Sequence, residues 1–308
     1  MADIVITEFM DQGVADELAA RFAIHFDPTL HQRPDDIRRL ASSARALIVR
    51  NQTQVREELL APLTRLKVVG RLGVGLDNID LAACARRGVT VATADGGNEI
   101  SVAEHVFAGM LAFSRKTLFT GDQVAAGAWP RTLNIGSELY GKILGIVGLG
   151  RIGRQVARRG AAFGLGIVAY DPFIEASDPV WGEANIRQVD LPTLLGTSDF
   201  ISLHCPLNAS SRGMIDRAAI AAIRPGAVVI NTARGGIVDE AALAEALGAG
   251  RLKGALIDVF ATEPLPAGNP FAGLSNAILT AHVAGLTDEA HVRVSRMVAD
   301  KVAAILAA

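Results

Sequence analysis

The chain has 308 residues, 50% of them hydrophobic but only 5% aromatic, and a formal charge of −2. That length can hold two domains with separate cores, while the balanced charge and the lack of a basic tract argue against nucleic acid as a partner. No run of about eighteen apolar residues offers a membrane span, residues 1–15 do not read as a signal peptide, and two thiols, Cys84 and Cys205, fit a reduced, cytoplasmic protein.

In chain order, short apolar segments at 4–6, 23–26, 46–49, 67–69 and 89–92 alternate with helical stretches at 14–21, 34–41, 56–61 and 81–87. Brief, continuous runs of Val, Ile and Ala are what strands buried on both faces of a parallel sheet look like. This first series predicts a small doubly wound α/β unit. After Gly96-Gly97 the pattern changes to a long helix over 100–115 and an irregular segment around 121–138. A second series follows, with strands at 143–147, 167–170, 200–203, 227–231, 254–259 and 277–280, and an amphipathic helix over 288–306. Six strands fit a dinucleotide-binding sheet.

The first strand of that second series runs straight into Gly148-Leu-Gly-Arg-Ile-Gly153, and a helix-prone stretch follows. Strand, glycine turn and helix in this order point free N–H groups at a pyrophosphate: Gly148 permits the turn, Gly150 lets the backbone approach, and Gly153 lets helix and strand pack. Arg151 and Ile152, inside the loop, would lie against the same phosphates. The strand at 167–170 ends in Asp171, placed to take both ribose hydroxyls of an adenosine. That carboxylate would repel a 2′-phosphate, and Pro172-Phe173 follows instead of an arginine, so NAD is expected over NADP. The alternative is a glycine-rich turn in a Rossmann-like domain that has lost its ligand.

Beyond the glycine run, several motifs stand in a set order: Gly-Val-Gly-Leu-Asp-Asn-Ile-Asp (73–80), Gly-Gly-Asn-Glu-Ile-Ser-Val-Ala-Glu (96–104), Asn-Thr-Ala-Arg-Gly-Gly (231–236), Asp-Val-Phe-Ala-Thr-Glu-Pro (258–264) and Thr-Ala-His-Val-Ala-Gly (280–285). With them the chain resembles, over essentially its whole length, the D-2-hydroxyacid dehydrogenases of the phosphoglycerate dehydrogenase-like kind. The resemblance implies an α/β fold of two doubly wound parallel-sheet domains. A flavodoxin-like substrate domain would take 1–98 and 287–308, and a Rossmann NAD-binding domain 99–286, with crossings near Asn98 and Leu286. Ala281 stands where proline usually precedes the family's histidine. Formate dehydrogenases carry Gln where this chain has Glu263, which argues against formate. The regulatory domain of longer phosphoglycerate dehydrogenases is not expected here.

Hydride transfer from a hydroxy acid needs a base for the hydroxyl proton and a cation for the carboxylate. His282 and His204 both follow strands, and position alone does not separate them. The resemblance assigns proton transfer to His282, with Glu263 as the carboxylate that orients it and favours its charged form; without the resemblance Glu263 reads as a solvated loop acid. Arg234, before Gly235-Gly236, offers a rigid fork to the substrate carboxylate. By resemblance, His204-Cys205-Pro206 forms the wall beneath the cofactor, and Thr232, Ala233, Arg234, Asp258 and His282 lie near its nicotinamide end. Asp258 has an alternative reading, a structural aspartate capping a loop. No metal is expected.

For substrate, Gly73-Val74-Gly75 would offer backbone N–H groups as an anion nest, with Asn98 and Ser101 beside it. Arg50, after the strand at 46–49, is the residue to watch for specificity. It either faces an anion on the substrate's C3 or is an ordinary surface arginine. The opening Ile-Thr-Glu-Phe-Met-Asp (6–11) resembles that of sulfolactate dehydrogenases, and (S)-sulfolactate shares the spatial arrangement of D-lactate because sulfur reverses the naming priority. A 3-phosphoglycerate or sulfolactate type of substrate is therefore expected. A broad hydroxypyruvate/glyoxylate reductase is the alternative, and an NAD-sensing corepressor-like protein the non-enzymatic one. Gly127-Ala128-Trp129-Pro130-Arg131 resembles the arm by which the family dimerises, which implies a homodimer.

Overall fold

The computed structural model of the chain describes residues 2–116 and 121–308. By contact the chain divides into two units, Met1–Asn98 with Leu286–Ala308, and Glu99–Gly285.

The first unit runs β1 (Ile4–Ile6), α1 (Gln12–Ala19), β2 (Ile24–Phe26), α2 (Pro34–Ala41), β3 (Ala46–Val49), α3 (Glu57–Leu60), β4 (Val68–Arg71), α4 (Leu81–Arg86) and β5 (Thr90–Thr93). All neighbouring strands pair in parallel, in the order β2-β1-β3-β4-β5, which is the flavodoxin-type order 2-1-3-4-5. Helix starts follow from local chemistry: Asp11 accepts from Val14 N and Asp80 from Ala83 N, and Pro34 opens α2. The C-terminal helix, Asp288–Ala307, returns to this unit and is capped by Thr287. It seats Val298 and Val302 against β4 at Gly70, where an added Cβ would lie only 2.7 and 2.9 Å from their methyls. A side chain there would lift the helix off the sheet.

The second unit begins with α5 (Glu99–Arg115) and the short α6 (Gly121–Ala125). It then alternates β6 (Ile143–Val147), α7 (Arg151–Ala162), β7 (Gly166–Tyr170), β8 (Arg187–Gln188), α8 (Leu191–Thr197), β9 (Phe200–Leu203), α9 (Arg217–Ala222), β10 (Val228–Asn231), α10 (Glu240–Gly248), β11 (Gly254–Ile257) and β12 (Ala277–Leu279); the C-terminal helix is α11. The sheet is parallel throughout in the order β12-β11-β10-β9-β6-β7-β8. Counted from β6, this is 3-2-1-4-5-6, the dinucleotide-binding order, with one further strand.

The expected count of six strands is corrected to seven. The missed member is β8, two exposed polar residues at the sheet edge with no apolar signature. The strand expected at 254–259 also stops at Ile257, because Asp258 turns its side chain into the following loop. Strands β9, β10 and β11 are buried along their whole length, as continuous apolar runs require. Among the described residues no helix is long and apolar enough to cross a membrane, and no group of three or more His, Cys, Asp or Glu could hold a metal ion.

Candidate active site

Strand register assembles the site in the second unit. Val147 pairs with Tyr170 and with Leu203, Leu203 with Asn231, Asn231 with Ile257, and Ile257 with Leu279. The next residue on each strand therefore falls in one row along the carboxyl edge: Asp171, Gly148, His204, Thr232, Asp258 and Thr280. Neighbouring strands lie about 4.8 Å apart, so six segments far apart in sequence share one edge. Ligands of open α/β sheets bind there, at the point where strand order reverses. Here that point lies between β6 and β9.

The glycine loop occupies the reversal point. Gly148 has φ +92°, and a Cβ on it would lie 2.8 Å from Cys205 N and 2.9 Å from His204 C. Both facts require glycine. A Cβ on Gly153 would lie 2.2 Å from Gly148 O, so the first turn of α7 can approach β6 only without a side chain. Gly150 is different: its φ of −70° suits any residue and a Cβ there meets no protein atom within 4 Å. Nothing in the protein requires a glycine at that position, whereas a pyrophosphate at the N-terminus of α7 does. Arg151 opens α7 as an exposed residue, and Ile152 packs partly on the core. Asp171 accepts from Leu149 N at 2.9 Å and Phe173 N at 3.0 Å, which fixes the carboxylate beside the loop. Two buried polar atoms on the same row, Thr232 Oγ1 and His204 Nδ1, have no partner among the described residues. The residues thus fit a dinucleotide: a cradle open at Gly150, an acid held at the end of β7, and unfilled polar groups along the edge.

The two candidate histidines now separate. His204 Nε2 meets Ser202 Oγ at 2.8 Å, and burial pushes its imidazole down to about 3. It stays neutral through the working range. His282 Nδ1 lies 2.9 Å from Glu263 Oε2, with both side chains partly open to solvent. A carboxylate oxygen only accepts, so Nδ1 carries the proton and Nε2 is left to face a substrate. Glu263 is itself anchored, its Oε1 accepting from Phe260 N at 3.0 Å.

His282 has φ +54°, a left-handed conformation unusual for a residue with a side chain. Asp258 holds it. This aspartate is 1% exposed; its Oδ1 accepts from Thr280 Oγ1 at 2.5 Å and Val283 N at 2.8 Å, and its Oδ2 from Ala284 N at 2.9 Å. Its backbone carbonyl also accepts from His282 N at 2.8 Å. The carboxylate is turned into the loop that carries His282, in agreement with the capping alternative for Asp258. Asn231, absent from the sequence candidates, does the same for the next turn: its side chain accepts from Ala233 N and donates to Arg234 O. Arg234 is half-buried and bonds back to Ala233 O at 2.7 Å. A Cβ on Gly235 would lie 1.9 Å from Phe260 O, so the turn after β10 packs directly on the segment leading to Glu263.

In the first unit the picture is more mixed. The N–H of Gly73 is not offered to a ligand, since it donates to Arg71 O at 2.7 Å. Of the nest expected over Gly73-Val74-Gly75, this takes the Gly73 N–H out. Asn98 ends the unit, and Ser101 is buried in the first turn of α5. Arg50 is no ordinary surface arginine. Half-buried, it lies 5.8 Å over the Phe9 ring and places Nη2 3.0 Å from His291 Nε2, and among the described residues it forms no ion pair. Its loop is shaped by Glu8, a residue the sequence reading passed over. Glu8 is 2% exposed, and its carboxylate accepts from Arg50 N, Asn51 N, Gln52 N and Thr53 N at 2.8, 3.1, 2.9 and 2.9 Å.

A Rossmann sheet with a glycine loop, a ribose-side acid and a histidine–carboxylate pair on one edge defines an NAD-dependent oxidoreductase. Residues 107–284 match the family described as D-isomer specific 2-hydroxyacid dehydrogenase, NAD binding domain. The chain is 46% identical over 305 residues to (S)-sulfolactate dehydrogenase of Chromohalobacter salexigens, covering 98% of this chain and 97% of that one. It is 42% identical over 257 residues to D-3-phosphoglycerate dehydrogenase of Archaeoglobus fulgidus, covering 83% of this chain but only 48% of that longer protein. Among solved structures it resembles D-lactate dehydrogenase of Aquifex aeolicus, complexed with NAD and lactic acid, with a TM-score of 0.87 at 29% identity over 99% of this chain and 95% of that one. The chain belongs to the D-isomer specific 2-hydroxyacid dehydrogenase family and is an NAD-dependent oxidoreductase of 2-hydroxy acids.

Proposed function

We propose that the substrate is a small D-configured 2-hydroxy acid, or its 2-keto acid, that carries a second anion on C3, of the sulfolactate or 3-phosphoglycerate type. In this reading Arg234 holds the C1 carboxylate through its planar fork and polarises the carbonyl at C2. His282 Nε2 takes the hydroxyl proton during oxidation and returns it during reduction, and Glu263 keeps the ring oriented and balances its charge. Asp258 is a positioning residue for His282. Bound NAD supplies the nicotinamide carbon that accepts or gives the hydride. Asn98, Ser101 and the backbone at Val74 and Gly75 belong to the substrate's surroundings, and Thr232, Ala233 and His204 to the cofactor's.

The observation that carries the choice of substrate is Arg50, a half-buried guanidinium that among the described residues makes no ion pair within 4 Å and is offset only at longer range by the Glu8 carboxylate, whose oxygens are taken by backbone N–H groups. A desolvated cation without a direct ion pair is costly, and an anionic ligand reduces that cost. The test is NADH oxidation against 3-sulfopyruvate, 3-phosphohydroxypyruvate, hydroxypyruvate, glyoxylate and pyruvate. A kcat/KM about a hundredfold higher for one C3-anionic compound, roughly 2.7 kcal/mol of discrimination, names the substrate. Comparable rates across the panel make the protein a broad ketoacid reductase.

We further infer a cytoplasmic homodimer. Two features support it: both cysteines are free, and the segment from Trp129 to Tyr140 exposes Trp129, Leu133, Ile135 and Tyr140 to between 65% and 77%, more apolar surface than a segment of that length ordinarily leaves in water. Sedimentation at micromolar concentration decides between dimer and monomer.

A further inference from the structure

Three segments of the first unit converge beside Arg50: the residues after β1, the residues after β3, and the first turn of α11. Phe9, 47% exposed, sets its ring 5.0 Å from the ring of His291, tilted by 52°, and lies beneath the Arg50 guanidinium. The backbone N–H groups of 50–53 cannot serve an incoming anion, because Glu8 has all four. Any anion read by this loop must be read by side chains.

Two side chains stand ready. A guanidinium has no acceptor, so the 3.0 Å contact between Arg50 Nη2 and His291 Nε2 runs from arginine to histidine, with the imidazole neutral and its proton on Nδ1. The charged groups facing His291 are Arg50, Asp288 on its own helix and Asp11 ahead of α1. Burial and then Arg50 push the imidazole below its usual range, and the two aspartates oppose them only in part. The single lone pair of Nε2 is engaged by Arg50, so the neutral ring has no donor at that atom to offer a sulfonate or phosphate oxygen that Arg50 attracts. Protonated, the same atom becomes a donor, and the anion then lies between two cations that would otherwise repel each other.

We propose that His291 joins Arg50 as a second reader of the C3 anion, and that binding of that anion is coupled to the uptake of one proton by the His291 imidazole. The inference rests on the reading of Arg50 given above and adds a residue and a pH dependence to it. The bound group is a tetrahedral anion on C3. A sulfonate stays fully ionised throughout the range, whereas a phosphate monoester itself titrates near pH 6, so the sulfonate is the cleaner probe.

The experiment compares KM for 3-sulfolactate and for D-lactate from about pH 6 to about pH 9. His282 acts on both substrates, so its titration cancels in the ratio. In the wild type the ratio of the two KM values should rise with pH, by up to about tenfold per unit at its steepest, as linkage of one proton demands. In His291→Gln, whose amide oxygen can still accept from Arg50, the ratio should be flat; melting temperature and NADH binding check that the variant is folded. A flat ratio in the wild type, or an unchanged slope in H291Q, overturns the role of His291 and leaves the reading of Arg50 standing if 3-sulfolactate is still preferred. Equal KM values for the two substrates at every pH overturn both. If H291Q fails to fold, proton uptake by the wild-type NADH complex, counted by calorimetry in buffers of different ionisation heat at about pH 7, decides: a larger count for 3-sulfolactate than for D-lactate, by up to about one proton, supports the proposal, and equal counts overturn it.

Discussion

Replacing Asp258 with Asn tests how the catalytic loop is held. The change keeps the size of a side chain that is 1% exposed and receives three hydrogen bonds from the loop. An amide oxygen can still receive Thr280 Oγ1 and Val283 N, but the amide nitrogen then faces Ala284 N, donor against donor. One hydrogen bond to a carboxylate is lost, at about 1.5–3 kcal/mol, and the other two weaken because charge-assisted bonds are roughly twice as strong as neutral ones. The left-handed backbone of His282 costs about 1–2 kcal/mol, which the weakened cap no longer covers. About 3 kcal/mol of loop order is lost in total, and at 1.36 kcal/mol per factor of ten this predicts a fall in kcat of roughly a hundredfold. The assay is single-turnover NADH oxidation, with NADH affinity measured separately by fluorescence. The expected result is a fall in kcat with NADH affinity within a few-fold of wild type. Wild-type kcat refutes it, and an equal loss of NADH affinity returns Asp258 to direct contact with the nicotinamide.

His282→Ala should abolish turnover while NADH still binds; retained turnover removes His282 from the mechanism. Gly150→Ala should leave stability unchanged or raised by about 0.4–1 kcal/mol, as Gly→Ala does where the backbone suits alanine, because its Cβ meets no protein atom, yet weaken NADH binding more than about tenfold; equal NADH affinity would show that nothing approaches that backbone. Arg50→Ala should raise KM for a C3-anionic ketoacid about a hundredfold, roughly 2.7 kcal/mol, and much less for pyruvate; equal effects would assign Arg50 to structure. Burial alone would raise Glu8, but hydrogen bonds from Gln52, Thr53 and Arg50 outweigh it and lower the carboxyl below 4.5. A lowered folded-state value means stability that is present above about pH 4.5 and lost as pH falls through that lower value. Glu8→Gln should therefore be less stable at neutral pH and show a shallower acid limb in a melting-temperature profile, and an unchanged limb would count against the cradle.

The parts of the site visible in the sequence are those whose partners lie close by or carry a signature. Gly148, Gly150, Gly153 and Asp171 stand at spacings fixed by one strand–turn–helix–strand unit, and the alternation of apolar runs identified both sheets. Strand β8 escaped because two polar residues at an edge have no pattern to read. His204 and His282 were indistinguishable by position; only the buried, unpartnered Nδ1 of one and the Glu263 contact of the other separate them. The loop-capping bonds of Asp258 could not be told from its other reading, and Glu8 was passed over, for a common reason. Each binds backbone N–H groups, 25 and 26 residues away for Asp258 and 42 to 45 for Glu8, and a peptide group has no identity in a sequence. His291 lay on the polar face of an amphipathic helix, where nothing marks one residue from the next.

The Glu8 cradle also separates the framework of the 50–53 loop from what that loop displays. Its backbone is held from beneath by one carboxylate, and its far end by Thr53, which meets Thr7 Oγ1 at 2.7 Å and receives Asn78 Nδ2 on its carbonyl at 2.8 Å. Asn51 and Gln52 project outward from that frame with exposed side chains. Their identities can change without disturbing the peptide groups that fix the loop. A library randomised at these two positions, with Glu8 and Thr53 kept, therefore tests whether what this loop displays affects the choice among hydroxy acids while its frame stays constant.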